Sequence, residues 1–272
     1  MAKVLAGDRP LIIGHRGYSL FAPENTLSSF DLAIAAGVDL VELDCHQSKD
    51  GILIVIHDSN LNRTTDARGR WKQRLNNVNS RTAAEIQELD AGRWFDPKFS
   101  GLQVPTLAQA VERIGRRSIA LIECKSGEPR NLVQLLRESR AVHKVIVQSF
   151  DWAFLHSVHV LEPELVLGAL GPPKKLVNGR KPRAIFRRLN ATWLKELQKT
   201  GASIAVWNHQ LSRKAIQLAQ SQKIGVWVYT VNNPRRASRL LRLGVTGLIT
   251  DNPSLIWKTL ALGRNSDLSH RH

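Results

Sequence analysis

The strongest constraint on the fold of this 272-residue chain is a regular alternation of short apolar segments with segments of helical periodicity. The apolar segments are rich in Val, Ile and Leu. Several are apolar at successive positions, as expected for strands that are covered on both faces. Nine such segments predict β-strands at 11–13, 40–44, 52–56, 119–123, 145–148, 165–169, 204–206, 226–229 and 247–249.

Most of the segments between these strands have the 3.6-residue periodicity of amphipathic helices. Strands that alternate with helices form parallel sheets whose faces the helices cover. Eight strand–helix units fit the length of the chain, so the predicted fold is α/β, a (β/α)8 TIM barrel. The predicted helices span 26–36, 107–114, 131–139, 152–161, 192–199, 213–221 and 234–243.

One part of the chain departs from this alternation. The second and third predicted strands are joined by Lys49-Asp50-Gly51, a sequence typical of a hairpin turn. Residues 60–105 contain two short helical patterns, several aromatic residues and no clear strand. Since a long segment of this kind is usually a lid or a small subdomain, we predict one domain over residues 1–272 with a small insertion at 60–105.

Composition narrows the class of protein. A chain of this length with 43% hydrophobic residues can bury a large core, and its two cysteines provide neither a disulfide framework nor a cysteine-rich zinc site. The first residues lack the apolar run of a secretory signal, and no segment approaches the roughly 18 consecutive apolar residues of a membrane span. A cytoplasmic location is therefore expected. The net charge of +16 favours anionic partners without selecting among nucleic acid, anionic lipid and phosphate-bearing substrates.

Polar and ionisable residues follow many of the predicted strands at the point where each strand ends. In a barrel of this kind, the loops after the strands form the active site. Unpaired charges buried at one rim without a function would destabilise the fold. These residues are His15, Arg16, Glu42, Asp44, His57, Asp58, Glu123, Lys125, Gln148 and Asp251.

The alternation of side chains along the strands groups three carboxylates. Glu42, Asp44 and His46 share one face of the second strand. On the next core strand, Glu123 and Lys125 share a face. Carboxylates this close repel one another without a cation, and their oxygens are the ligands that hard divalent cations prefer. The pattern therefore predicts one divalent cation, either Mg²⁺ or Ca²⁺.

The other charged residues at this rim suit chemistry on a phosphate. Arg16 and Lys125 can donate to non-bridging phosphate oxygens. His15 and His57 are left to transfer protons. A single histidine at a strand end is more often structural than catalytic, so this hypothesis depends on the coincidence of several such residues at one rim.

Two cysteines lie on the opposite faces of the same strands. Cys45 and Cys124 alternate with the predicted metal ligands. We therefore expect both to point outward, into the layer between strands and helices, as buried and reduced thiols.

The chain resembles the glycerophosphodiester phosphodiesterase family in a series of short motifs. The resemblance extends from Leu11 to about Pro253, and the motifs in this order are far more specific than any one of them. The matching stretches are GHRG (14–17), APENT (22–26), VELDCHQSKDG (41–51), IHDSNLNRTT (56–65), PTLAQA (105–110), IECK (122–125), QSF (148–150), YTVN (229–232) and GVTGLITDNP (244–253).

This resemblance implies roles for individual residues. It implies that Glu42, Asp44 and Glu123 are metal ligands. It implies that His15 and His57 are the paired acid and base.

The resemblance also implies how the phosphate and the barrel mouth are arranged. Arg16 and Lys125 match phosphate contacts, and Glu24 and Asn25 match a loop beside the first histidine. The extra strand and residues 60–105 match a small cap over the barrel mouth.

Two departures from the family pattern concern the alcohol end of the substrate. The family often has Trp before Thr-Val-Asn, whereas this chain has Tyr229 there and Trp227 two residues earlier. After HRG the family often has small residues, whereas Tyr18 and Phe21 are bulky. We therefore predict that these four residues line the substrate pocket, and the leaving-group preference stays open.

The reaction that the resemblance implies is hydrolysis of a glycerophosphodiester to sn-glycerol 3-phosphate and an alcohol. The nucleophile is either water or the neighbouring glycerol hydroxyl, and the acid and base roles of the two histidines stay open. An alternative is a lysophospholipase D acting on membrane lipids, because the basic stretch 171–188 suits contact with an anionic membrane. A nucleic-acid-binding protein is a remote alternative. No nucleic-acid partner is expected, because the chain has no RNA-binding or zinc-finger motif and its basic residues are scattered.

Overall fold

The fold is a closed barrel of eight parallel strands with helices between them, as the alternation predicts. The computed structural model describes residues 7, 9–182 and 187–269, and of residues 262–269 it describes the helical backbone only. The barrel closes because β1 pairs in parallel with both β2 and β9. The strands are β1 (Leu11–Gly14), β2 (Leu40–Gln47), β3 (Leu53–Val55), β4 (Ile119–Cys124), β5 (Val145–Ser149), β6 (Val166–Gly171), β7 (Ile204–Trp207), β8 (Gly225–Val228) and β9 (Gly247–Thr250).

The short strand β3 lies outside the barrel and pairs antiparallel with the end of β2. Every strand segment predicted from the sequence forms a strand, with differences of a few residues at the ends. Within the described residues, no helix is long and apolar enough to cross a membrane. The long helices span Leu27–Ala35, Leu107–Gly115, Pro129–Glu138, Trp152–Leu161, Ala191–Gln198, Arg213–Ser221, Pro234–Leu243 and Pro253–Ser269.

Local capping signals explain where several of these helices begin and end. The hydroxyl of Thr106 accepts from the backbone N–H of Gln109, and the Gln109 side chain accepts from the Thr106 N–H in return. Helix 234–243 begins with Pro234 after the N-cap Asn233. It ends at Gly244, whose φ of 97° lies in the left-handed region that favours glycine.

Two apolar layers hold the barrel together. The outer layer packs the strands against the helices, and Trp152, Leu43 and Phe30 belong to it. The inner layer fills the barrel with inward residues such as Ile13 and Leu40. Burial of each such large apolar side chain contributes about 1.5–3 kcal/mol.

The insertion after β3 has a small core of its own. Ile54 and Ile56 pack there with Leu61, Ile86 and Val104, all of them buried. The segment contains the short helices Ala67–Trp71 and Ala83–Gln87 and the 3₁₀ turns Val78–Ser80 and Pro97–Phe99.

The two cysteines lie where side-chain alternation predicts them. Cys45 and Cys124 are register partners across β2 and β4, and both are free and buried in the outer layer. The Cys124 partner, together with burial, raises the pKa of the Cys45 thiol. Both therefore behave as small apolar side chains in the resting protein.

Candidate active site

The turn after β1 brings His15 and Arg16 to the carboxyl end of the barrel. It folds back sharply because it contains two glycines. A Cβ on Gly14 would lie 2.7 Å from the carbonyl oxygen of Gly17, and a Cβ on Gly17 would lie 2.2 Å from the Ser29 hydroxyl. Gly17 has φ 87° and Arg16 has φ 54°, so two successive residues adopt left-handed backbone conformations. As a result, the backbone N–H of Arg16 points at Glu42 and donates to its Oε2 at 2.9 Å.

Three carboxylates converge inside the barrel mouth. Glu42, Asp44 and Glu123 each offer an oxygen within 4.8 Å of the others, and all three are buried. The register explains this arrangement, because Asp44 pairs with Glu123 across β2 and β4 and Glu42 lies two residues earlier on the same face.

The chemistry of this triad fits a divalent cation. Burial, and then the negative charge of Asp44, raise the pKa of Glu42 to about 8. Burial and Asp44 also raise the pKa of Glu123. The amide of Gln148 donates to Glu42 at 3.3 Å, and its buried Oε1 atom has no hydrogen-bond partner among the described residues. The site therefore carries more negative charge than its own positive residues neutralise, and it offers oxygen ligands. Both properties suit a divalent cation such as Mg²⁺ or Ca²⁺.

The predicted phosphate contacts, Arg16 and Lys125, lie beside the triad. The Lys125 ammonium lies 2.6 Å from Glu123 Oε1 and 3.2 Å from Asp44 Oδ1. The Arg16 guanidinium lies 2.7 Å from Glu24 and 3.2 Å from Asp44. Burial opposes ionisation of Asp44, but Lys125 and Arg16 outweigh it and lower the pKa of that carboxyl.

Asn25 fixes the position of Asp44. It has a left-handed backbone (φ 59°), and its amide donates to Asp44 Oδ2 at 2.9 Å. Its Oδ1 accepts from the backbone N–H of Asp44 at 3.1 Å. The sequence indicated Asn25 only as part of a loop motif.

His15 is held by a carboxylate that directly follows the last barrel strand. Its Nδ1 lies 2.5 Å from Asp251 Oδ1, and Asp251 also accepts from Ser19 and Asn232. Burial lowers the pKa of His15, but the hydrogen bond to Asp251 and the nearby Glu42 outweigh it, so the pKa is raised. Because Nδ1 is bound to Asp251, Nε2 is the ring nitrogen that is available for proton transfer.

His57 has the same arrangement with a different carboxylate. Its Nδ1 lies 2.6 Å from Asp58 Oδ1. Burial is the largest influence and lowers the pKa of His57. The two histidines therefore have pKa values shifted in opposite directions.

His46 holds the backbone of His57 in place. Its Nε2 lies 3.0 Å from the His57 carbonyl oxygen, which can only accept, so this nitrogen is protonated. Its Nδ1 then accepts from the Ser126 hydroxyl at 2.8 Å. Burial lowers the pKa of His46 and favours this neutral form. The face assignment of His46 was predicted, but this contact was not.

Arg63 connects the two sides of the site from within the insertion. Its guanidinium donates to Asp58 at 2.7 Å and to both Glu24 oxygens at 2.7 and 2.9 Å. Glu24 in turn contacts Arg16, and Asp58 contacts His57. Sequence reasoning missed this role, although Arg63 lies in the matched stretch 56–65.

Tyr229, a predicted pocket residue, lies at the barrel mouth. Its hydroxyl donates to the carbonyl oxygen of Gly171 at 2.9 Å, and its ring meets Phe150 edge to face at 5.9 Å. Burial, and then the charge of Glu123, raise the pKa of Tyr229, so the phenol stays protonated.

The other predicted pocket residues lie in three different environments. Phe21 is 56% exposed in the loop after β1. Tyr18 touches its ring but is buried in the outer apolar layer, where its hydroxyl donates to Asn252 at 3.0 Å. Trp227 is buried in the inner layer against Gly247, the first residue of β9. Its ring therefore fills the barrel at the other end of β9 from Asp251, because alternation gives the face of a residue but not its depth.

The basic stretch 171–188 follows β6 on the same barrel face. Arg183 lies outside the described residues. The other basic side chains are exposed and comprise Lys174, Lys175, Arg180, Lys181, Arg187 and Arg188.

Comparisons with known proteins match this chain to one family. The glycerophosphoryl diester phosphodiesterase family matches residues 15–255. A glycerophosphodiester phosphodiesterase from Bacillus subtilis (strain 168) is 33% identical over 275 residues, covering 94% of this chain and 88% of the relative. One from Caldanaerobacter subterraneus is 31% identical and covers 91% of this chain and 96% of the relative.

Solved structures agree with these relatives. An Oleispira antarctica phosphodiesterase, solved in complex with the product sn-glycerol-3-phosphate, superposes with a TM-score of 0.80 at 26% identity, covering 93% of this chain and 97% of that one. A putative glycerophosphoryl diester phosphodiesterase from Silicibacter pomeroyi gives a TM-score of 0.82 at 26% identity, covering 96% of this chain and 97% of that one.

Proposed function

The chain belongs to the glycerophosphoryl diester phosphodiesterase family, and we propose that it cleaves glycerophosphodiesters to sn-glycerol 3-phosphate and an alcohol by metal-dependent, two-histidine catalysis. One observation supports this mechanism above the others. A buried carboxylate triad lies at the same barrel end as two histidines, each held through Nδ1 by its own carboxylate.

Glu42, Asp44 and Glu123 would hold the cation. A divalent cation bound there supplies Lewis-acid polarisation of a phosphoryl oxygen and neutralises charge that develops on it. Gln148 contacts Glu42 and fixes the orientation of its carboxylate. A cation held there would explain why three acidic side chains can remain together in a buried site.

Arg16 and Lys125 bind the phosphate in this proposal. Each already contacts the triad, so their charges lie beside the place where the phosphoryl group would sit. A substrate phosphate brings new acceptors for their remaining N–H groups, and such charge-assisted hydrogen bonds are the strong ones.

The opposite pKa shifts of His15 and His57 support different roles for the two histidines. The raised pKa favours the protonated form of His15, and the lowered pKa favours the neutral form of His57. We assign His15 as the acid that protonates the leaving alkoxide and His57 as the base that accepts a proton from the nucleophile. A cation bound at the triad would weaken the effect of Glu42 on His15, but the hydrogen bond that His15 donates to Asp251 remains.

Two substrates that differ in their leaving group test this assignment. His15→Ala and His57→Ala should each lower kcat for glycerophosphocholine by roughly 10²–10⁴-fold. With the p-nitrophenyl ester of glycerol 3-phosphate, whose leaving group needs no protonation, His15→Ala should lose less than ~10-fold while His57→Ala keeps its full defect. A full defect of His15→Ala on both esters would overturn its role as the acid.

A further inference from the structure

The rim of the barrel mouth combines two aromatic rings with a fixed lysine. Phe150 follows β5 and meets Tyr229 edge to face. The Lys174 ammonium lies over the Phe150 ring, 5.3 Å from its centroid. The backbone N–H of Lys174 donates to the Phe150 carbonyl at 2.8 Å, which pins the lysine to the end of β5. The positive charge is therefore held at the barrel mouth by both its main chain and its side chain.

Lys174 also affects the metal triad electrostatically. Its charge is among the influences that lower the pKa of Glu123. The charge of Glu123 also raises the pKa of Tyr229. Phe150 lies two residues after Gln148, whose amide donates to Glu42 of the triad. Lys174, Phe150 and Tyr229 therefore form one wall of the barrel mouth beside the triad.

The carboxylates at this rim already have partners. Asp58 and Glu24 contact Arg63, and Asp251 contacts His15. Asp151, next to Phe150, lies 2.8 Å from the ammonium of Lys175. A cationic headgroup entering the site would find these acidic groups neutralised and the Phe150 face occupied by Lys174.

We propose that Lys174 selects substrates by the charge of their alcohol group, favouring glycerophosphodiesters of uncharged polyols over those of cationic amino alcohols. This inference rests on the proposed function. All of these substrates carry the same uncharged glycerol group. A charged residue that discriminates among them must therefore act on the alcohol group. Coulomb repulsion works across the mouth without direct contact, over roughly a Debye length of 8–10 Å.

The test compares glycerophosphoinositol with glycerophosphocholine by kcat/KM at low salt. The wild type should prefer the inositol ester. Lys174→Glu reverses one fixed charge and should shift the ratio toward choline by about 5- to 30-fold, while Lys174→Arg should leave it within ~2-fold. The shift should shrink at high salt.

Lys144→Glu is the matched control. Lys144 is also exposed, but it directly precedes β5, whereas Phe150 follows that strand. A five-residue strand is roughly 17 Å long, which exceeds the Debye length, so the control should move the ratio by less than ~2-fold. Lys174→Gln gives a second measure if the glutamate variant folds poorly, and it should shift the ratio in the same direction.

Three results would overturn the inference. One is a wild-type preference for the choline ester, another is an unchanged ratio in both Lys174→Glu and Lys174→Gln, and the third is an equal shift in the Lys144 control. If the wild type hydrolysed none of the diesters, the proposed function itself would be refuted. Failure of the inference about Lys174 can therefore be distinguished from failure of the proposed function.

Discussion

Replacing Arg63 with methionine removes the guanidinium that joins the insertion to the catalytic site. The side chain keeps much of its length, but Asp58 and Glu24 lose a shared partner. Asp58 keeps its contact with His57, and Glu24 keeps its contact with Arg16. The change therefore loosens the orientation of His57 without removing any group that contacts substrate.

The structure sets the size of each effect. Arg63 is 43% exposed, so solvent screens its ion pairs and the free energy of unfolding should fall by only about 1 kcal/mol. The cost to catalysis should be larger, because a misplaced base weakens proton transfer in the transition state. We expect kcat to fall about 10- to 100-fold, which corresponds to ~1.4–2.8 kcal/mol.

The pH dependence gives a second readout. The hydrogen bond from Arg63 is the first cause that holds the pKa of Asp58 at about 2. Loss of that positive charge favours protonation of His57 through Asp58 and raises the pKa of the histidine. A base must be unprotonated, so the acidic limb of the kcat/KM profile should move to higher pH.

The matched control is Arg70→Met. Arg70 lies in the same insertion, is also 43% exposed, and pairs with Glu88 away from the site. It should change thermal stability by a similar amount and leave kcat and the acidic limb unchanged. Wild-type turnover and pH profile in Arg63→Met, or an equal defect in Arg70→Met, would refute the positioning role.

Three other outcomes follow from the site and its surroundings. Because the pKa of Glu42 is raised in the folded protein, the cation-free protein should lose stability as the pH rises from about 5 through that folded pKa. The gain in Tm on adding Mg²⁺ or Ca²⁺ should therefore grow over that pH range. A gain that does not depend on pH would contradict cation binding at the triad. Exchange of Arg180, Lys181, Arg187 and Arg188 for Gln should weaken adsorption to anionic vesicles by about 1 kcal/mol per residue at the surface and leave turnover of soluble diesters intact. Unchanged vesicle binding would contradict the membrane contact that the sequence predicts for stretch 171–188. Cys45 and Cys124 should resist a thiol reagent in the native protein and react after denaturation, whereas rapid native labelling would contradict their burial.

Periodicity predicted the barrel because it is a local property of the chain. A strand covered on both faces is apolar along its length, and an amphipathic helix repeats every 3.6 residues, so each element could be identified without knowing its neighbours. The triad followed by one further step, since alternation on β2 and β4 fixes which side chains share a face. Residues outside such a pattern were placed less well.

The contacts that sequence reasoning missed join residues far apart in the chain. Asp251 was predicted only as a strand-end carboxylate, yet it holds His15 from 236 positions away. Arg63 reaches Glu24 through the fold of the insertion, which has no regular period. The depth of Trp227 in the barrel depends on how β8 is staggered against β9, which a single strand does not reveal.

The most direct test of the central claim is to identify the products from a glycerophosphodiester by ³¹P NMR. Wild-type protein with Mg²⁺ or Ca²⁺ should convert glycerophosphocholine or glycerophosphoinositol to sn-glycerol 3-phosphate and the free alcohol. Turnover should stop in EDTA and in the His15→Ala, His57→Ala double variant. Release of phosphocholine or inositol phosphate with free glycerol, or undiminished turnover in EDTA after exhaustive dialysis, would contradict the account.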